Sequence, residues 1–177
     1  MFTLKKLLTT SVVSISISIG LSTGVQAQSL GTPINENQLE NFDLIAQPDG
    51  SGYPAGTGTA VQGKAIFETR CVACHGMSGE GTSTNTRLVG GDMQSEERPI
   101  RTVGSYWPHA STLFDYVQRA MPANAPKSLS SSEVYQVIAY VLHLNGIIED
   151  TLVLNKQTLM QIEMPNKDGF IDSSQAL

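Results

Sequence analysis

Near the middle of the chain stand Cys71-Val72-Ala73-Cys74-His75. Two thiols three positions apart at the end of a helix project to one side. Each sulfur can then add to one of the two vinyl groups of a single porphyrin. The imidazole that follows is held where it can reach the iron. That is the pattern of a covalently attached haem c, one for the chain, with thioethers at Cys71 and Cys74 and a proximal ligand at His75.

Competing uses of the same residues are weaker. A redox dithiol of this spacing belongs in a βαβ context, which the sequence does not offer. A zinc site needs four protein ligands, and only His109 and His143 could join, at the wrong spacing. A disulfide across three positions closes almost no loop and would stabilise little.

An electron carrier also needs a sixth iron ligand. Met121, followed by Pro122, leads because a non-helical break there can present a thioether to the distal side. A thioether favours Fe(II) and raises the reduction potential. Met164 in the tail is the rival, and His109, His143 or an open position complete the field. Either methionine could instead be a packing residue. His143 reads as a satisfied helix histidine and His109 as a loop histidine. Trp107 could donate its indole N–H to a haem propionate or be a buried aromatic, whereas Arg101 reads as a solvated charge.

These residues need helices to position them. Thr59-Ala-Val-Gln62 is a capping box, after which Ala60, Gly63, Phe67, Cys71 and Cys74 recur on one stripe. Residues 76–110, rich in Gly, Ser and Thr, read as a long functional loop. Ser111 is expected to cap a helix whose face carries Leu113, Phe114, Val117 and Ala120, and which Pro122 stops. Ser130-Ser-Ser-Glu133 is a second capping box. Val134, Val137, Ile138, Val141 and Leu144 follow at helical spacing, and Asn145-Gly146 ends the run. Strand signals are few, so the expected fold is all-α.

Composition narrows the setting. Of 177 residues, 40% are hydrophobic and 15% charged, with two cysteines and a formal net charge of −5. Those values exclude a disordered chain and a disulfide-dense scaffold, and no collagen-like period is present. An acidic chain is a poor partner for nucleic acid. No run of about 18 apolar residues suggests a membrane span. Residues 1–27, with Lys5 and Lys6 before an apolar stretch and Val25-Gln26-Ala27 at its end, read as a signal peptide, so the product is expected in the periplasm or otherwise exported. Its removal leaves 9 Lys+Arg against 16 Asp+Glu. Residues 28–57 then read as an arm or linker with a possible short turn around Leu39 to Ile45. Residues 58–146 are the central domain, and 147–177 a largely extended C-terminal extension.

Taken in order, Gly63 and Phe67, CVACHG, Met121-Pro122 and the final AYVLHLNG resemble class I cytochromes c over about residues 58–146. The resemblance implies that fold, with N- and C-terminal extensions, and a close crossing of the first and last helices at Gly63 beside an aromatic such as Tyr140. A narrower likeness runs from TVGSYWPHASTLFDYVQRAMP through the last helix to MPNKDGF. It is similar to the monohaem cytochrome subunit of sulfite and sulfur dehydrogenases of the Sox type. This likeness implies a molybdenum-cofactor dehydrogenase subunit as electron donor, a mobile cytochrome or oxidase as acceptor, and no substrate chemistry on this chain. Other classes stay open at this point: a free-standing carrier between respiratory complexes, or a haem enzyme or sensor with an open iron position.

Overall fold

The computed structural model describes residues 31–39 and 44–175. The expected signal peptide and parts of the arm therefore lie outside the described residues. From Asn35 onward the chain forms one unit. Its helices are α1 (Glu36–Leu39), α2 (Ala60–Arg70), α3 (Val72–His75), α4 (Val103–Tyr106), α5 (Ala110–Ala120), α6 (Ser131–Leu144) and α7 (Lys156–Leu159), before a 3₁₀ turn at Ser173–Gln175. Among the described residues extended pairing is limited to one antiparallel bridge, Gly58 with Leu154. No described helix is long and apolar enough to cross a membrane.

Local chemistry sets the two main helices. At the start of α2 the Gln62 N–H donates to Thr59 Oγ1 (3.3 Å) and the Thr59 N–H to Gln62 Oε1 (3.0 Å). Ser130 and Glu133 repeat this reciprocal cap at the start of α6, where the Ser130 N–H donates to Glu133 Oε2 at 2.8 Å. Each such cap contributes about 1 kcal/mol by satisfying amide groups that have no partner in the first turn. At its other end α6 stops at Asn145, and Gly146 takes the left-handed conformation at φ +68° that ends many helices.

Helices α2 and α6 cross at Gly63. A methyl group there would lie 2.5 Å from the carbonyl carbon of Gln136 and 3.0 Å from Tyr140 Cβ, so only hydrogen fits. One turn on, the Phe67 and Tyr140 rings pack tilted with centroids 5.2 Å apart. Phe114 on α5 meets Tyr135 of α6 at 4.7 Å and Tyr53 of the arm at 5.0 Å. Phe67, Phe114, Tyr135, Ile138 and Leu142 are fully buried, each contributing on the order of 1.5–3 kcal/mol through removal from water. The expected close crossing and all-α core are both present.

Three local expectations are corrected. Ser111 does not cap α5. The helix starts at Ala110, with His109 at the cap position and no side-chain capping bond, and Ser111 is buried in the first turn. The inward face takes Ala110 and Ser111 together with Leu113 and Phe114, so packing, not hydroxyl capping, sets the start. The long loop of 76–110 is also interrupted by α4, whose box uses Thr102 and Ser105 in place of the usual Glu or Gln. Finally, the stretch after 146 is no loose extension. Gly58 and Leu154 exchange both backbone hydrogen bonds (2.9 and 2.7 Å), and Leu154, Leu159 and Met164 join the core. Of the short turn expected around Leu39 to Ile45, Leu39 ends α1 and residues 40–43 lie outside the described residues.

The arm is tied down as well. The Ala46 N–H donates to Asp115 Oδ1 (3.1 Å), and Tyr135 Oη donates to Pro54 O (3.1 Å). Asp115 is also gripped by Arg119, whose Nε and Nη2 donate to its two carboxylate oxygens. Burial disfavours its charge, but the bonds from Arg119 and Ala46 outweigh that and hold its carboxyl below the ordinary range.

Candidate haem site

Cys71 sits at the break between α2 and α3, with backbone φ −120° and ψ −34°. The Cys74 and His75 amides both fold back onto its carbonyl, at 3.1 and 2.9 Å. One tight turn thus gathers both thiols and the imidazole. Cys71 is half-buried and Cys74 exposed, and both thiols are free. Burial, with Cys74 adding a little, pushes the Cys71 thiol up to about 11. A dithiol oxidoreductase needs the opposite shift. Among the described residues no group of three or more His, Cys, Asp or Glu is placed to hold a metal ion by itself, so zinc finds no four-ligand set.

Gly76 follows at φ +81°, where a side chain would also lie 2.5 Å from Glu80 Oε2. The chain then folds back under His75. The Gly81 N–H donates to His75 O (2.7 Å), and the Leu88 N–H to Gly79 O (2.7 Å). Backbone N–H groups of Glu80 itself and of Ser78 hold the Glu80 carboxyl below its usual range, the latter at 2.8 Å. The fold-back delivers the Thr86 carbonyl to His75 Nδ1 at 3.2 Å. A carbonyl can only accept, so Nδ1 carries the proton and the Nε2 lone pair is left for a metal. Such a partner fixes the tautomer and raises the basicity of a ligating histidine. Two adjacent thiols and an imidazole with its outer nitrogen already committed fit a covalently attached haem, and Cys71, Cys74 and His75 could hold it.

The remaining candidates are separated. Met121 is half-buried, lies at the end of α5 in extended backbone (φ −112°, ψ 147°) and precedes the buried Pro122. Met164 is 3% exposed and belongs to the hydrophobic core. Trp107 closes α4 and meets Tyr116 edge-on at 5.9 Å, half-buried. His109 is exposed ahead of α5, and His143 is tied to the turn after α6 through Ile148 O at 3.2 Å. Exposed Arg101 lies over the Tyr106 ring at 4.9 Å. Sequence reasoning missed Thr86, because a backbone carbonyl leaves no signature in residue type. The Gly-rich run from Gly76 to Gly81 was the available signal that the chain must double back there.

Residues 60–145 match the family described as Cytochrome c. A chain in the crystal structure of the sulfane dehydrogenase SoxCD from Paracoccus pantotrophus superimposes with a TM-score of 0.77 and 37% identity, covering 84% of this chain and 74% of that one. The protein therefore belongs to the cytochrome c family, with the all-α fold of that class and covalent haem c as its cofactor.

Among curated relatives, it is 29% identical over 118 residues to a thiosulfate dehydrogenase of Allochromatium vinosum (66% of this chain, 39% of that protein). It is 32% identical over 119 residues to the cbb3-type cytochrome c oxidase subunit CcoP of Cereibacter sphaeroides (62% and 38%). The chain thus spans about two fifths of the length of the curated relatives it matches. It carries an electron-transfer domain related to chains of sulfur-compound dehydrogenases.

Proposed function

We propose that this chain accepts single electrons from a molybdenum-cofactor dehydrogenase that oxidises sulfite or another sulfur compound. It passes them to a mobile cytochrome or an oxidase in the periplasm. The observation that carries this reading is the 84% coverage by the sulfane dehydrogenase chain, which reaches well beyond residues 60–145. The flanks are thus shared along with the haem domain. Residues 58–146 form that domain, with 28–57 and 147–177 as its flanks.

When bound, haem c would supply one-electron redox chemistry. Cys71 and the exposed Cys74 would anchor it. His75, oriented by Thr86 O, and Met121 would supply the protein ligands to its iron. No proton or bond to substrate is exchanged at these residues. The oxidation itself takes place on another chain, because both cysteines are committed here. Trp107 stands as a propionate contact. The test is reconstitution: the holoprotein mixed with the dehydrogenase should co-elute with it and be reduced on addition of sulfite or thiosulfate. A holoprotein that stays oxidised and elutes alone would overturn the assignment. Reduction by unrelated respiratory donors, without retention of the dehydrogenase, would instead favour the free-carrier reading to which the oxidase subunit's similarity points.

The distal assignment has its own test. Met121 lies inside the matched region and Met164 outside it, with the Met164 side chain already committed to the core. Met121→Ala should abolish the sulfur-to-iron charge-transfer band of the oxidised protein and lower its potential. Met164→Ala should keep the band while costing roughly 2–5 kcal/mol in stability. Loss of the band in Met164→Ala alone would exchange the two roles.

A further inference from the structure

The Thr86 carbonyl that orients His75 is itself held in place two residues further on, and by a side chain from the opposite end of the domain. Asn145, at the end of α6, donates from Nδ2 to Val141 O at 2.8 Å and to Leu88 O at 3.2 Å. Both partners are carbonyls, which fixes which end of the amide faces them. The Val103 N–H of α4 converges on the same Leu88 carbonyl at 3.3 Å. On its other side the Asn145 amide lies against Gly104, where a methyl group would come within 2.8 Å of Asn145 Cγ. The amide is therefore wedged between α6, α4 and the 86–88 segment. Its two donors are spent on carbonyls, and its position is set by the missing side chain at Gly104.

A helix cap needs only the first of these bonds. The second reaches 57 residues back in sequence, to the short stretch that also holds Thr86 O against His75 and is tied through the Leu88 N–H to Gly79 O. We infer that Asn145 is a positioning residue for the haem-ligating imidazole: by holding Leu88 O it fixes the Thr86 carbonyl, and so the strength of the bond that His75 Nδ1–H donates. This rests on the proposed assignment of His75 as the proximal ligand. A weaker Nδ1–H···O bond makes the imidazole less basic and the oxidised state less stabilised. Loss of the Asn145 amide therefore raises the potential. A purely architectural role changes stability alone.

The experiment uses the holoprotein and two variants. Asn145→Ala removes the donor, and Gly104→Ala displaces the amide while leaving Asn145 in the chain. Both should speed exchange of the His75 Nδ1 proton in the reduced protein, about tenfold in Asn145→Ala. Both should also shift the midpoint upward. The expected shift in Asn145→Ala is roughly threefold in the oxidised-to-reduced ratio, on the order of 30 mV for a one-electron couple. Gly104→Ala should move both readouts in the same direction by less, and it carries the test if Asn145→Ala does not assemble. Unchanged potential and exchange alongside a lowered melting temperature would reduce Asn145 to a helix cap and overturn the inference. A separate measurement on the unaltered protein guards the premise. If its His75 ring protons show no haem ring-current shift, the ligand assignment itself fails, and the inference with it.

Discussion

Replacing Cys71 and Cys74 together by serine should yield a chain whose covalent haem falls to background, read as loss of haem staining on a denaturing gel. A serine hydroxyl does not add to a vinyl group under conditions in which a thiol does. The chain has only two cysteines, so no other thiol can substitute. The single variants should differ. Cys74 is exposed and Cys71 half-buried against the core, so Cys71→Ser also places a hydroxyl where the sulfur packs. It should be the less stable of the two while each retains one thioether. The geometry of His75 depends on Thr86 and not on the sulfurs, so the double variant should still bind added haem loosely through the imidazole. Undiminished covalent haem in the double variant would refute the attachment assignment.

Gly63→Ala should be strongly destabilising, against the direction that helix propensity dictates. In an exposed helix interior the change would stabilise by roughly 0.8–1 kcal/mol. Here the added methyl would overlap the Gln136 carbonyl of the crossing helix. That oxygen belongs to rigid backbone, so α2 and α6 must move apart and loosen Phe67 against Tyr140. Overpacking of this kind costs typically 1–3 kcal/mol, and at roughly 2–4 °C per kcal/mol for a chain of this size the melting temperature should fall by about 2–12 °C. Gly63→Val should not accumulate as folded holoprotein. A melting temperature that rises in Gly63→Ala would show that the helices do not meet there.

The covalent haem c was legible in the sequence because residue type carries it: paired thiols followed by an imidazole cannot be replaced by neighbours of another kind. The ends of α2 and α6 were legible for the same reason, since Thr59 with Gln62 and Ser130 with Glu133 cap through side-chain atoms. The elements that were missed use backbone atoms or burial instead. Alpha-4 is opened by Thr102 with Ser105, whose short side chain does the work expected of Glu or Gln. Ser111 has the right type for a cap but is drawn inward with Leu113 and Phe114. Leu154 enters the core because its backbone pairs with Gly58, and no local pattern in 147–177 announces that pairing. Thr86 acts on His75 through a carbonyl that any residue would possess.

The pairing of Gly58 with Leu154 has an architectural consequence. The polypeptide enters and leaves the haem-bearing part of the fold through a single doorway, two strands of backbone wide. A module whose ends meet can be spliced into a larger protein, here together with the flanking Tyr53, Leu159 and Met164 that complete its core. The thiosulfate dehydrogenase and the oxidase subunit that resemble this chain over about two fifths of their own length each carry a related segment inside a longer polypeptide.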